Sequence, residues 1–372
     1  MHIRRYSTLI LVISLIFGAL WSCSERQDSE KKTLRIGIIV SLSGPAAHNG
    51  ENWLSGVQLA AKELESKDYL VKLFIEDDRT EPARAVSAFQ KLVNVDKVDG
   101  VIGGTWDFLA EAVYPLADRY KVPFITPTNP AELVDMGSSQ SPWVFSNALT
   151  ISAEQEAIGH FLVQHKVQST ALLYPDLAWG ISHVAIFDNL LDQLNFEIVY
   201  RNAFPFEGYH DAVRAATYRI GKIKPDLVYA PIDGSGIDIL TSEFKRLKID
   251  PLLLVSQHLE TAYELTKDGE RYQNVFGVHP LVSSPEYIAS YQNSYNKAPP
   301  VYSEAGYDAL GFLVKALSEE VDFKARPAQF TYHGVTGTHS FNKVGSKLVD
   351  NKAQIVKIEN GTLVGVPGTA SN

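Results

Sequence analysis

From Leu34 onward the apolar residues follow two alternating rhythms. Continuous β-branched and aliphatic runs at LRIGIIVSL (34–42), VKLFIE (71–76), VDGVIGG (98–104) and 122–126 read as buried strands. Between them apolar residues recur at helical spacing: Val57, Ala60, Ala61 and Leu64, then Val86, Phe89, Leu92 and Val93, then the stretch 108–120. A strand, a helix folded back on it and a second strand form a βαβ unit, so a first half with four parallel strands is expected. The Pro-, Ser- and Gly-rich stretch PTNPAELVDMGSSQSPW (127–143) breaks this rhythm and predicts a crossing into a second half.

The second half repeats the alternation. A helix at 152–165 leads to STALLYP (169–175), a helix at 179–194, FEIVYR (196–201), a helix at 210–222, PDLVYAP (225–231), a helix at 236–247 and PLLLVSQ (251–257). After VFGVHP (275–280), helices at 284–296 and 303–319 are expected to return to the first half, followed by short extended segments. The pattern predicts an α/β fold of two doubly wound, Rossmann-like lobes joined by multiple crossovers. Lobe 1 is expected to hold 33–149 and 278–338, and lobe 2 to hold 150–277 and 339–366.

Before Leu34 the pattern is different. Arg4 and Arg5 precede an apolar run from Thr8 to Leu20, shorter than the roughly 18 to 20 residues of a spanning helix, which reads as an export signal. The only cysteine follows in Leu20-Trp21-Ser22-Cys23, which resembles the lipobox of bacterial lipoproteins. That resemblance implies a signal peptide at 1–22, acylation of Cys23, a flexible polar tether at 23–32, and a periplasmic or cell-surface protein held to a membrane by lipid. An uncleaved signal anchor and an ordinary secretory signal are the other readings of the same residues.

Composition narrows the function classes. The 372 residues carry 34 Lys and Arg against 43 Asp and Glu, a formal charge of −9 with no long basic run, which argues against nucleic acid as a partner. One cysteine excludes an intrachain disulfide and a multi-cysteine zinc site. No G-x-S-x-G, H-E-x-x-H, P-loop or strand-linked G-x-G-x-x-G occurs, so neither an enzyme nor a cofactor or metal is expected.

Short motifs then occur in a fixed order: Ser43-Gly-Pro-Ala-Ala-His-Asn-Gly50 with Gly56, Asp77-Asp78 with Pro82, Val101-Ile-Gly-Gly104, and Ile125-Thr-Pro127 with Pro130-Ala-Glu-Leu133. Gly180, Tyr307-Asp-Ala309, Gly334-Val-Thr-Gly337, Phe341 and Gly345 complete the series. Together they resemble the Leu/Ile/Val-binding family of type I periplasmic binding proteins, the receptors of branched-chain amino acid ABC transporters, over about Thr33 to Val366. The resemblance implies a monomeric, non-catalytic solute-binding protein. It would capture an amino acid or amino-acid-like or amide compound between two lobes and present it to an inner-membrane ABC permease. A ligand sensor or protein-interaction lipoprotein of the same fold is the alternative.

Most of these motifs are turns at the carboxyl ends of parallel strands, where open α/β sheets take ligands. The candidate contacts are Thr105, Trp106, Asp107, Thr128, Asn129, Trp179, Asp233 and His258. Family members hold the ligand carboxylate with Ser or Thr and backbone N–H groups of lobe 1, and its ammonium with a carboxylate of lobe 2. Here Asp107 stands where the family commonly has Ser, and the expected lobe 2 acid falls near Ser256-Gln-His258, so that partner is either missing or displaced to Glu260, with Asp233 able to substitute for it. Asp107 can equally be the N-cap of helix 108–120, Trp106 and Trp179 can be core residues, His258 can be structural, and Gly44, Gly50, Gly103 and Gly104 can simply shape turns.

Overall fold

The structure is a computed structural model that describes residues 31–65, 70–128, 141–205, 208–282, 284–341 and 349–371. The expected signal peptide, Cys23, most of the tether, Asn129, Pro130-Ala-Glu-Leu133 and Gly345 lie outside the described residues.

In the first lobe the strands are β1 (Thr33–Val40), β2 (Leu70–Asp77), β3 (Gly100–Gly103), β4 (Phe124–Thr126) and β5 (Val144–Ser146). They form one parallel sheet in the order β2-β1-β3-β4-β5. Helices α1 (Ala47–Glu65), α2 (Pro82–Asn94), α3 (Asp107–Glu111) and α4 (Tyr114–Tyr120) connect them. The interior of β1 is buried on both faces except at Arg35, as a parallel sheet covered by helices requires. Two expectations change here. The sheet has five strands rather than four, because the chain after 127–143 adds β5 before it crosses. The single helix at 108–120 is two, because Pro115 lacks the N–H a continuing helix would use and instead opens α4.

The second lobe runs α5 (Ile151–Gln164), β6 (Ser169–Pro175), α6 (Ala178–Leu191), β7 (Glu197–Phe204), α7 (His210–Ile223), β8 (Leu227–Ala230), α8 (Gly234–Leu247), β9 (Leu252–Val255), α9 (Leu259–Thr266) and β10 (Val275–Pro280). Its chain then leaves through α10 (Pro285–Tyr295) and α11 (Ser303–Ser318), whose buried residues pack with those of α1 and the first sheet. Strands β11 (Thr331–His333), β12 (Gly337–Ser340) and β13 (Val349–Asn351) make a small antiparallel sheet. Strands β14 (Ala353–Glu359) and β15 (Thr362–Gly365) complete the second sheet, ordered β15-β14-β10-β9-β8-β6-β7.

Sheet membership differs from the expected lobe limits in two places. β10 stays in the second sheet through Pro280, held between β9 and β14. Ser340 and Val349–Asn351 belong to the small sheet, Phe341 lies in the first lobe's aromatic core beside Phe145 and Phe312, and the second sheet resumes at Ala353. The crossing segments are laced together there. Asn351 accepts from the Thr150 N–H (2.9 Å) and donates to the Ala148 carbonyl (3.2 Å), and the Leu281 N–H reaches the Lys352 carbonyl at 2.7 Å.

What fixes α11 against the first sheet is close backbone contact with α1. A Cβ on Gly56 would lie 1.7 Å from the Ser303 carbonyl oxygen, and one on Gly306 would lie 2.2 Å from that of Trp53. Only glycine permits that approach. Its consequence for the site is that Asn49 on α1 and Tyr302 at the start of α11 are brought to the same edge of the cleft.

Candidate functional site

Between the lobes lies a cavity of about 190 Å³ lined by residues of both. The first lobe contributes Asn49, the loop 105–108, Glu111, Pro127, Thr128 and Tyr302. The second contributes Glu154 and His183 from helices, Pro175 and Leu177–Trp179 after β6, Phe204 and Tyr209, Ile232 and Asp233 after β8, and Ser256–His258 after β9. These are strand ends and helix starts, where the turn chemistry of the sequence lies. Thr105, Trp106, Asp107, Thr128, Trp179, Asp233 and His258 all line this cavity.

Local anchoring explains their positions. Gly103 has φ +136, and a Cβ there would sit 1.9 Å from the Ile39 carbonyl oxygen, so the chain turns against the end of β1 where a larger residue could not. Gly104 N–H then donates to that Ile39 carbonyl (2.9 Å), and the Thr105 hydroxyl accepts from Ser41 N–H (2.9 Å). With the loop held, Trp106 becomes the N-cap of α3, and Asp107, expected as N-cap of a longer helix, is instead its first residue. The Thr128 hydroxyl pairs with that of Thr126 at 2.9 Å.

The Asp77-Asp78 motif has a bracing role outside the cavity. Asp78 Oδ1 accepts from the Ser41 hydroxyl (2.6 Å) and Thr80 N–H (2.8 Å), while Asp77 accepts from Leu42 N–H (2.9 Å) and the Ser43 hydroxyl (2.7 Å). Burial pushes the Asp78 carboxyl up despite these donors, whereas for the more open Asp77 the donors outweigh burial and hold it down.

On the second-lobe wall Asp233 caps α8. Its Oδ1 accepts from Gly236 N–H (2.9 Å) and from the hydroxyls of Tyr209 (2.6 Å) and Ser235 (2.7 Å). Burial alone would raise this carboxyl, but the three donors hold it below its ordinary value, so it is ionised at neutral pH. Phe204 stacks on Tyr209 with ring centres 5.4 Å apart and extends an apolar wall beside the carboxylate.

His258 is buried, and that burial drives its imidazole down to about 4 although Asp233 pulls the other way. It is therefore a neutral hydrogen-bonding ring. Its Nδ1 lies 3.4 Å from Asn49 Nδ2 and 3.5 Å from the Tyr302 hydroxyl, both across the cleft. Trp179 packs against His183 and His258 with ring centres at 5.0 and 5.9 Å. Glu260, expected as a displaced charge partner for the ligand, does not line the cavity. Its Oε2 accepts from Val301 N–H at 2.6 Å, so it joins the lobes rather than facing a guest.

A buried Glu154–His183 pair was not anticipated. His183 Nδ1 is 2.8 Å from the Trp179 carbonyl, and Nε2 is 3.4 Å from Glu154 Oε2. Both ring nitrogens thus face acceptors, and only the imidazolium can donate to both. Burial lowers its proton affinity, but Glu154, with smaller help from the Trp179 carbonyl and Asp107, raises it above the ordinary value. The sequence signal was an acid at Glu154 on the same helical stripe as Ala157, Ile158 and Phe161.

Among the described lining residues there are four acids, Asp107, Glu111, Glu154 and Asp233, and no Lys or Arg. Among the described residues no cluster of His, Cys, Asp and Glu is arranged to hold a metal, and no helix is long and apolar enough to cross a membrane.

Comparison with known proteins agrees with this architecture. The profile of the family described as "Periplasmic binding protein" matches residues 33–362. The leucine-specific-binding protein of Salmonella typhimurium is 26% identical over 197 residues, covering 47% of this chain and 52% of that protein. The chain spans about half, or less, of the length of the curated relatives it matches. The branched-chain amino acid transporter substrate-binding protein LivJ of Streptococcus pneumoniae, solved with isoleucine, superposes with a TM-score of 0.78 at 21% identity over 89% of this chain and 98% of that one. A solute-binding protein of an ABC transporter from R. palustris, solved with benzoate, gives 0.76 at 21% identity over 91% and 96%. At such identities the two solved structures establish the shared fold.

Proposed function

The chain belongs to the type I periplasmic binding protein family, a family of binding proteins rather than enzymes, and from that premise we propose that it is an extracytoplasmic solute receptor. In this reading it captures a small polar solute, amino-acid-like in size, between its lobes and delivers it to an ABC permease. After export, acylated Cys23 anchors it to the membrane, with 23–32 as a tether. Lobe limits near the crossing segments at 147–150, 281 and 352 make those segments the hinge.

One observation carries the reading: the cavity has walls from both lobes, so a solute filling it contacts both. A ligand shifts an open–closed equilibrium only through its difference in affinity for the two states, and contacts reachable only when the lobes meet supply that difference. Asn49, Tyr302 and the Val301 N–H already meet His258 and Glu260 across the mouth, so closure also gains contacts between protein groups. Thermal-shift screening of amino acids, amides, amines and aromatic acids tests this. A ligand at 100 Kd should add about 2.7 kcal/mol of stability and compact the molecule in solution scattering. A screen with no stabilising solute, together with scattering unchanged by any of them, refutes it.

A further inference from the structure

The charge and aromatic content of the cavity narrow the chemistry of the guest, provided the chain is the solute receptor proposed above. We propose that the solute is a protonated organic amine with an apolar or planar body and no carboxylate. Among the described lining residues four are acids, and the one imidazolium, that of His183, is set against Glu154. Asp107 enters from the first lobe and Asp233 from the second, so a cation between them is attracted from both walls. All three donors to Asp233 go to Oδ1, and no described residue donates to Oδ2, which is left for an ammonium N–H.

The aromatic residues fit the same guest. Trp106, Trp179, Tyr209 and Tyr302 are on the lining, and ring faces attract cations most where water is excluded. Ser256 supplies an independent sign of a missing partner. Its residue is 3% exposed, it lines the cavity, and its hydroxyl has no hydrogen-bond partner among the described residues. A buried hydroxyl of this kind is normally satisfied, and a bound amine or hydroxylated cation would satisfy it.

The opposing feature is the start of α6, whose Leu177 N-cap gives no side-chain hydrogen bond and whose first N–H groups could favour an anion. Asp107 already acts on this region, since its charge is felt by His183 on the second turn of α6. A carboxylate placed there would face Asp107. Repulsion between like charges at ~4 Å corresponds to roughly 5- to 1,000-fold in affinity, depending on the local dielectric.

The test compares three probes of one shape by calorimetry and tryptophan fluorescence: 2-phenylethylamine, phenylalanine and 3-phenylpropanoate. The amine is expected to bind at least about tenfold more tightly than the zwitterion, with the carboxylate weakest of the three. Asp233→Asn keeps a capping oxygen for α8 and is expected to weaken amine binding about 10- to 100-fold, with only a modest fall in the melting temperature of the free protein because the charge-assisted bonds to Oδ1 become neutral ones. Asp107→Asn, on the other wall, is expected to narrow the preference for amine over zwitterion. Equal or tighter binding of phenylalanine or 3-phenylpropanoate overturns the cation assignment and leaves the receptor reading standing. Failure of all three probes, alongside closure by a neutral amide in the broader screen, overturns it too. Failure of every solute in that screen removes the receptor reading itself.

Discussion

Glu304 offers a sharp test of how the lobe edge is built. It lies in the first turn of α11 at 5% exposure, and its Oε1 accepts from Tyr302 N–H at 3.2 Å. Burial, reinforced by the charges of Glu260 and Asp308 and only partly offset by backbone donors, pushes its carboxyl from 4.5 to about 8. The unfolded chain gives up this proton near 4.5, while the folded chain keeps it to about 8. Between those values the folded state binds more protons, so this group's contribution makes stability fall as pH rises, by on the order of 4 kcal/mol across the window. Glu304→Gln cannot ionise and keeps a carbonyl oxygen for Tyr302 N–H. Its extra amide donor adds an offset that does not depend on pH, so the slope is diagnostic. Urea unfolding at pH 5, 7 and 9 should show the variant gaining on the native protein by about 2.5 kcal/mol from pH 5 to pH 7 and a further ~1.4 kcal/mol by pH 9. Parallel stability profiles for the two proteins would refute the assignment of a neutral buried acid at this position.

Named contacts support three more expected outcomes. Gly56→Ala gains about 1 kcal/mol of helix propensity but drives a methyl group into the Ser303 carbonyl, and overpacking against a rigid backbone costs about 3 kcal/mol or more. Its thermal midpoint should therefore fall, and an unchanged or higher midpoint would contradict the close approach of α1 and α11. Asp308→Ala removes the acceptor of Val335 N–H (2.8 Å), Thr336 N–H (2.8 Å) and the Thr336 hydroxyl (2.6 Å), all buried, and should cost more than ~3 kcal/mol in urea unfolding. A loss below ~1 kcal/mol would show that these donors find other acceptors. In NMR titration the His183 ring should remain protonated above 6.5, and its pairing with Glu154 should stabilise the fold below that value and fade as pH rises through the raised one. A midpoint at or below 6.5 would break the ion pair assigned to the cavity wall.

Much of this was legible in the chain because alternation of buried strands and amphipathic helices is a long-range, redundant signal. It located most strands of both large sheets and the helices between them. Short elements carried too little pattern. β5 is three residues long, too short to register as a strand in the apolar rhythm. The small sheet of β11, β12 and β13 has no apolar run, since its stability comes from Asp308, His339 and the Phe341 cluster, contacts far apart in sequence. Glu154 and His183 were hidden differently. Each sits on an otherwise apolar helical face, and only folding shows that the two faces meet at the cavity.

The same construction explains how the cavity wall carries charged side chains without their holding the fold together. Positions 103, 104 and 105 are committed to the end of β1, through a glycine that no side chain could replace and two hydrogen bonds to Ile39 and Ser41. Asp233 is committed through Oδ1 to the start of α8, a task Asn, Ser or Thr could also perform. The side chains at 106 and 107 and the second oxygen at 233 take no part in those anchors, yet they belong to the cavity wall. A change of charge there leaves the turn at β1 and the cap of α8 in place while altering what the guest meets. Ligand chemistry in this architecture is therefore decoupled from fold stability at a few strand-end positions. In the proposed receptor those positions would then set what the cleft accepts.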